Sequence, residues 1–180
     1  GSPDVVNRLP LPVGGHVLHF DETAQEFMHQ AGMTWVKWQV PYFEGTDLVI
    51  ARDRINWSHE AGFKVLLSIT GEKEALAEGG DPYVDDYAEF LGEVAGIGAD
   101  AIEVWNEMNI DREWPSGLIS GGNYTQMLSA AYQAIKSQNS ATLVISGAPA
   151  PTGFFQGCST SGGDDDCYIR QMAAAGASQF

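Results

Sequence analysis

Five short apolar runs, each followed by a stretch with helical spacing, constrain the fold of this chain more than any other feature. The runs are HVLHF (16–20), MTWVKWQV (33–40), FKVLLSI (63–69), AIEVWN (101–106) and ATLVISG (141–147). They are rich in β-branched and aromatic residues and are bounded by Gly and Pro, which predicts strands. The intervening stretches have a different period. In DETAQEFMHQAG (21–32), Asp21 is placed to cap a helix, Ala24, Phe27, Met28 and Ala31 form one stripe, and Gly32 ends it. DLVIARDRINWSHEAG (47–62) also ends at a glycine. DPYVDDYAEFLGEVAG (81–96) is the cleanest helix, with Asp81-Pro82 at its start and Tyr83, Val84, Tyr87, Phe90, Leu91 and Val94 at helical spacing. NYTQMLSAAYQAIKSQN (123–139) carries Tyr124, Met127, Leu128, Ala131 and Ile135 on one side, and CYIRQMAAAG (167–176) opens a fifth helix.

An alternation of this kind predicts an α/β fold with right-handed crossovers and a parallel sheet. The near-continuous apolar runs suit strands covered on both faces by helices, or a sheet whose one face closes on itself. No repeat, low-complexity tract or linker interrupts the 180 residues, so a single domain over 1–180 is expected, large enough for a real core.

Composition narrows the function. The formal charge is −15, from 24 acidic against 9 basic residues, which argues against nucleic acid and anionic membranes. It suits a neutral ligand such as a sugar or a peptide, or simply keeps the protein in solution. Hydrophobic residues make up 44% and charged residues 18%, as in soluble globular proteins, and no run approaches membrane-spanning length. Nothing at the N-terminus reads as a signal peptide; Gly1-Ser2 reads as a cloning remnant, so that a natural leader would have been lost. The two cysteines, Cys158 and Cys167, flank a Gly/Ser/Asp-rich loop, CSTSGGDDDC. A disulfide closing so short a loop would contribute about 2–3 kcal/mol and imply an oxidising, extracellular setting; two reduced thiols are the alternative. Too few soft ligands lie nearby for zinc, and Asp164–Asp166 reads as a solvated loop rather than a calcium site. No metal and no cofactor are expected. No G-x-G-x-x-G, H-E-x-x-H or G-x-S-x-G occurs, and Gly14-Gly15 precedes the first expected strand rather than following it. The sequons at Asn56 and Asn123 fall in helical stretches and read as chance matches.

Parallel α/β folds bind ligands at the C-terminal ends of their strands. The first exit offers His19 and Asp21, the second Lys37, Gln39 and Tyr42, the third Thr70 and Glu72, and the fifth Pro149 and Thr152. The fourth carries Trp105, Asn106, Glu107 and Asn109, then Asp111, Arg112 and Trp114 in a loop. A carboxyl beside an indole near a sheet is partly desolvated, which raises its pKa toward the range of a general acid. The neighbouring amide is suited to a sugar hydroxyl. The alternative is a capping pair that merely begins the next loop. Lys37 and Gln39 are candidates for hydroxyl contacts and Trp114 for stacking on a sugar; Trp38 reads as packing, because it alternates with Lys37 and Gln39. His19 lines the site or is structural, and Glu103 reads as structural.

VWNEMN on the fourth strand of a βα series resembles the W-N-E-P-N signature of the glycoside hydrolase clan A barrels. The resemblance implies a TIM-type (β/α)8 barrel, here truncated to about five βα units, and a retaining hydrolase of β-linked oligo- or polysaccharides. It implies Glu107 as general acid/base and Asn106 as the contact to the substrate 2-hydroxyl. Met108 stands where proline is usual, which loosens the turn without touching the chemistry. A retaining enzyme needs a second carboxylate about 5 Å from the first, and in the clan it ends the seventh strand. No residue here inherits that role, so the chain reads as part of a longer catalytic domain. A short protein completed by another chain, or a non-catalytic sugar-binding or scaffold protein, are the alternatives. Five parallel strands would leave two open edges that invite association with a second copy or a complementary chain.

Overall fold

A computed structural model describes residues 11–180. Five strands form one parallel sheet in sequential order: β1 (Gly14–His16), β2 (Trp35–Pro41), β3 (Lys64–Thr70), β4 (Ala101–Val104) and β5 (Leu143–Ser146). Helices α1 (Glu22–Gln30), α2 (Val49–Glu60), α3 (Lys73–Gly96) and α4 (Gly121–Gln138) connect them in turn. After β5 come a two-stranded antiparallel hairpin, β6 (Cys158–Ser159) and β7 (Gly162–Gly163), helix α5 (Asp165–Ala174) and a 3-10 turn (Ala177–Gln179). Right-handed crossovers between strands in sequential order put every helix on the same side of the sheet. Such a sheet has no point at which the winding reverses, so it is not doubly wound. The architecture is α/β and compatible with part of a barrel.

The two sheet faces differ accordingly. Val36, Trp38 and Val40 of β2, Val65, Leu67 and Ile69 of β3, and Ile102 and Val104 of β4 are buried under the helices. The opposite face carries Lys37 and Gln39, Leu66 and Ser68, Ala101 and Glu103, and Leu143 and Ile145, matched across the strands by register. No described helix covers it: at the β5 edge Leu143 and Ile145 stay 52% and 38% exposed, while Ser68, Ala101 and Glu103 nearer its centre are buried among their neighbours.

Three elements depart from the sequence-based expectation. The first strand is Gly14–His16, not 16–20, and Gly14-Gly15 lies within it. A Cβ at Gly14 would sit 2.7 Å from the Trp35 Cβ, so only glycine lets this edge approach β2. Beyond His16 the chain leaves the sheet: Leu18 is exposed, and Phe20 turns in to pack edge-on against Trp38 and Phe63. The third helix begins at Lys73, eight residues before the expected Asp81, with Gly80 (φ 57°, ψ −134°) breaking it into two segments. Asp81-Pro82 therefore does open a helical segment, as expected of a proline in the first turn. The missed part, KEALAEG, is made of good helix formers without an apolar stripe. Finally, β4 ends at Val104, two residues short of the expected 106, because Trp105 takes a left-handed backbone. Among the described residues, no helix is long and apolar enough to cross a membrane.

Candidate functional site

The fourth strand ends between two buried tyrosines. The Tyr87 hydroxyl, from α3, donates to the Ile69 carbonyl (2.7 Å) and accepts from the Trp105 amide (3.1 Å). The Tyr124 hydroxyl, from α4, donates to the Val104 carbonyl (2.8 Å) and accepts from the Gly147 amide (2.6 Å). Each phenol thus bridges β4 to a neighbouring strand where regular pairing ceases. Burial pushes both well above the ordinary tyrosine range, which keeps them un-ionised donors.

Between these bridges the backbone turns sharply, with φ of 66° at Trp105 and 44° at Glu107. Non-glycine residues in this region are strained by roughly 1–3 kcal/mol each. Two close approaches hold the turn. A Cβ at Gly71 would meet the Tyr83 hydroxyl at 2.2 Å and the Trp105 ring at 2.5 Å, and one at Gly147 would meet the Val104 and Trp105 carbonyls at 2.9 and 3.0 Å. Trp105 is fully buried; its indole N–H donates to the Glu113 carbonyl (2.9 Å), and its ring packs edge-on against Tyr87 and Trp114.

This arrangement aims Asn106 and Glu107 away from the core. The Asn106 amide is half-buried and has no hydrogen-bond partner among the described residues. The Glu107 amide donates to the Ala148 carbonyl (3.0 Å), tying the turn to the exit of β5. Its carboxylate, 25% exposed, is paired with the Arg112 guanidinium, which also holds Glu113. The expectation of a carboxyl lying against an indole is therefore corrected. The Trp105 ring faces the helices, and a cation occupies the place beside the acid. The hydrogen bonds that Arg112 donates to Glu107 first, and then to Glu113, with the charges of both carboxylates, raise its pKa above the ordinary value.

The other expected site residues divide. Lys37 and Gln39 lie on the uncovered sheet face, with Gln39 in register with Ser68 and Glu103. The Lys37 ammonium is paired with Glu103, whose carboxylate is nearly buried, so Glu103 is structural as expected and Lys37 already has a partner. His19 is exposed in the connection between β1 and α1, away from the β4 turn in the chain and without a partner among the described residues. Trp114 corrects the expectation of a stacking platform. It is 3% exposed, packed edge-on against Trp105 and Tyr124, with its indole N–H bonded to the Leu118 carbonyl (3.2 Å). A polar loop sequence does not reveal that its one indole turns inward. Trp38 is buried as expected, its indole donating to the Ser58 hydroxyl (3.1 Å).

Two residues matter more than their sequence context suggests. Asn109 is fully buried, and its side chain joins three backbone groups: it donates to the carbonyls of Ala150 (3.0 Å) and Gly163 (2.9 Å) and accepts from the Ala150 amide (2.7 Å). Asp164, expected to be solvated, is 8% exposed. It accepts from the Thr152 hydroxyl (3.0 Å) and the amides of Phe155 (3.0 Å) and Gly157 (2.9 Å). Burial alone would raise its pKa, but the Gly157 and Phe155 amides and the Thr152 hydroxyl outweigh burial and hold it below the ordinary carboxylate range. The expected disulfide joins Cys158 to Cys167 beside it. Because the folded pKa is depressed, the contribution of Asp164 is complete above the ordinary carboxylate value and is lost as pH falls through the lower, folded value. The protection of the Phe155 and Gly157 amides, relative to their intrinsic exchange, is expected to fall on acidification below about pH 4, and Asp164→Asn should remove that pH dependence. Protection of these two amides, taken relative to their intrinsic exchange at each pH, that does not change on acidification in the wild type would contradict the assignment.

Among the described residues no cluster of His, Cys, Asp and Glu is arranged to hold a metal ion. A scan against protein-family models gives no match, and no curated protein matches the chain.

Proposed function

We propose that this chain carries the acid/base part of a retaining β-glycosidase site on a TIM-type barrel of the glycoside hydrolase clan A kind. Glu107 is the proton donor and Asn106 the contact to the substrate 2-hydroxyl. The observation that carries the reading is the Trp-Asn-Glu run at the C-terminal end of the fourth of five sequentially ordered parallel strands, the end at which such folds hold their ligands. The unpartnered Asn106 amide and the left-handed backbone at Trp105 and Glu107 support it, since strain of this kind gathers at functional sites. In the reaction Glu107 protonates the glycosidic oxygen as its bond to the anomeric carbon breaks, and a second carboxylate forms the glycosyl-enzyme ester. Glu107 then takes a proton from the water that releases the sugar. That second carboxylate comes, on this reading, from beyond the five-stranded sheet. The substrate is a neutral β-linked oligo- or polysaccharide, and the setting is extracellular, with which the disulfide is compatible.

One observation favours a second reading, a carbohydrate-binding or scaffold protein without turnover: the Glu107 carboxylate is already paired with the Arg112 guanidinium. The test is incubation of this chain, alone and within any longer product that contains it, with aryl β-glycosides. Release of the aryl alcohol by the longer product supports the enzyme. Binding without release by both supports the second reading, and neither binding nor release overturns both.

The proposal extends to assembly. Strands β1 and β5 each pair on one side only among the described strands, and unpaired edges recruit further strands. The chain should associate with a copy of itself or with a complementary chain, giving concentration-dependent sedimentation. A monodisperse monomer at every concentration, with edge amides already protected, would refute this.

A further inference from the structure

A second surface, on the helical layer rather than at the strand ends, has the chemistry of a ligand site. One side of α2 lines a cavity of about 490 Å³ with Ile50, Asp53, Arg54, Asn56, Trp57 and Glu60. Trp57 is 44% exposed, yet its ring is held from within. It lies nearly parallel to the buried Trp38 (centroids 6.0 Å apart, 17° between planes) and meets Phe20 edge-on. The Arg54 guanidinium sits over both indoles, 4.3 Å from the Trp38 ring centroid and 5.6 Å from that of Trp57. The side chains of Asp53, Arg54, Asn56 and Glu60 form no hydrogen bond or ion pair with any other described residue. A rigid aromatic plane is thus flanked by two carboxylates and an amide without partners among the described residues, and by a guanidinium stacked on the indoles with its N–H groups likewise unpaired.

The charges select the ligand. A cation stacking on Trp57 would meet the Arg54 guanidinium already over the indoles. An anion would meet Asp53 and Glu60. A purely apolar ligand would strip water from four polar side chains without replacing their hydrogen bonds. A neutral polyhydroxylated ring satisfies all three conditions. Its C–H face covers the indole, and its vicinal hydroxyls pair with the planar carboxylates, amide and guanidinium. From Ile50 to Glu60 the helix rises about 15 Å, which suits an oligosaccharide better than one sugar. We infer that the α2 face centred on Trp57 is a binding site for neutral oligosaccharides, separate from the turn that carries Glu107.

The site does not depend on turnover, and its test does not either. The 180-residue chain is titrated with cellohexaose, xylohexaose and mannohexaose while its indole N–H resonances are followed, that of Trp57 being assigned by its absence in Trp57→Phe. At least one saccharide is expected to shift the Trp57 signal and to protect Trp57 from oxidation by N-bromosuccinimide. Asp53→Asn and Glu60→Gln, both exposed and unpaired, should each weaken binding at least about fivefold, roughly the cost of one lost hydrogen bond. The readout is the Trp57 signal and not turnover, so failure of the glycosidase proposal leaves this result standing, and the converse. No Trp57 response up to about 10 mM of any of the three, above a millimolar Kd, overturns the inference. So does a Trp57 response confined to a lysine-rich peptide.

Discussion

Replacing Asn109 by alanine is expected to destabilise the protein by about 3–5 kcal/mol, the largest effect of any single polar side chain described. Asn109 is 0% exposed, and its side chain is the shared partner of the Ala150 amide, the Ala150 carbonyl and the Gly163 carbonyl. Truncation leaves the Ala150 amide and carbonyl without a side-chain partner and the Gly163 carbonyl with only a long contact from the Thr152 hydroxyl (3.4 Å), at positions that are themselves buried. Each abandoned group costs about 1–3 kcal/mol, less whatever water recovers. Asn109→Asp should be nearly as damaging, because it loses the donor and sets a negative oxygen against two carbonyls. Asn109 also stands two residues after Glu107, whose amide is bonded to the Ala148 carbonyl on the same loop that Asn109 secures. The loss should therefore appear in ligand binding at the turn as well as in the urea midpoint. A change in unfolding free energy of about 1 kcal/mol or less, the worth of one ordinary hydrogen bond, would show that this knot is not holding the two loops together.

The second large effect follows from the proposed glycosidase reading and concerns Glu107 in a unit that also holds the second carboxylate. Glu107→Gln keeps shape and hydrogen-bonding capacity but cannot deliver a proton. On unactivated β-linked substrates turnover should fall by about 10²–10⁴-fold, the usual worth of general acid catalysis. On aryl glycosides whose leaving group departs without a proton, glycosyl transfer to the enzyme should be nearly unaffected, because the acid contributes little to that step. This dependence on the leaving group separates a proton donor from a residue that merely shapes the turn. A uniform loss across leaving groups, or no loss at all, would remove Glu107 from the chemistry. The Arg112 pair does not by itself prevent donation. Arg112 is 69% exposed on its side chain, and ion pairs so open to water are easily exchanged for hydration.

Much of this architecture was legible before any coordinates. The five β-α alternations, the buried helix stripes through Tyr87 and Tyr124, the disulfide and the packing role of Trp38 all follow from local patterns. Each depends on side-chain period or on residues close in the chain. The failures share the opposite property. The polar loop around Trp114 predicts exposure, but its burial is set by Trp105 and Tyr124, nine residues before it and ten after it. Asp164 was read as solvent-facing because its neighbours are acidic and small. Its carboxylate instead turns back to gather amides from 155 and 157. Nothing near Asn109 signals its role, since its partners lie 41 and 54 residues onward.

The sequence by itself determined the alternating order of strands and helices, the face of each helix that is buried, and the strand exit that carries an amide beside an acid. These are consequences of apolar period, of Gly and Pro at boundaries and of short-range capping, all of which act within a few residues. Only the tertiary structure decided that one sheet face is uncovered, that Arg112 rather than an indole stands beside Glu107, and that Asn109 and Asp164 are buried knots. Those outcomes depend on which distant backbone groups need partners once the chain has closed up, and no local pattern encodes that need.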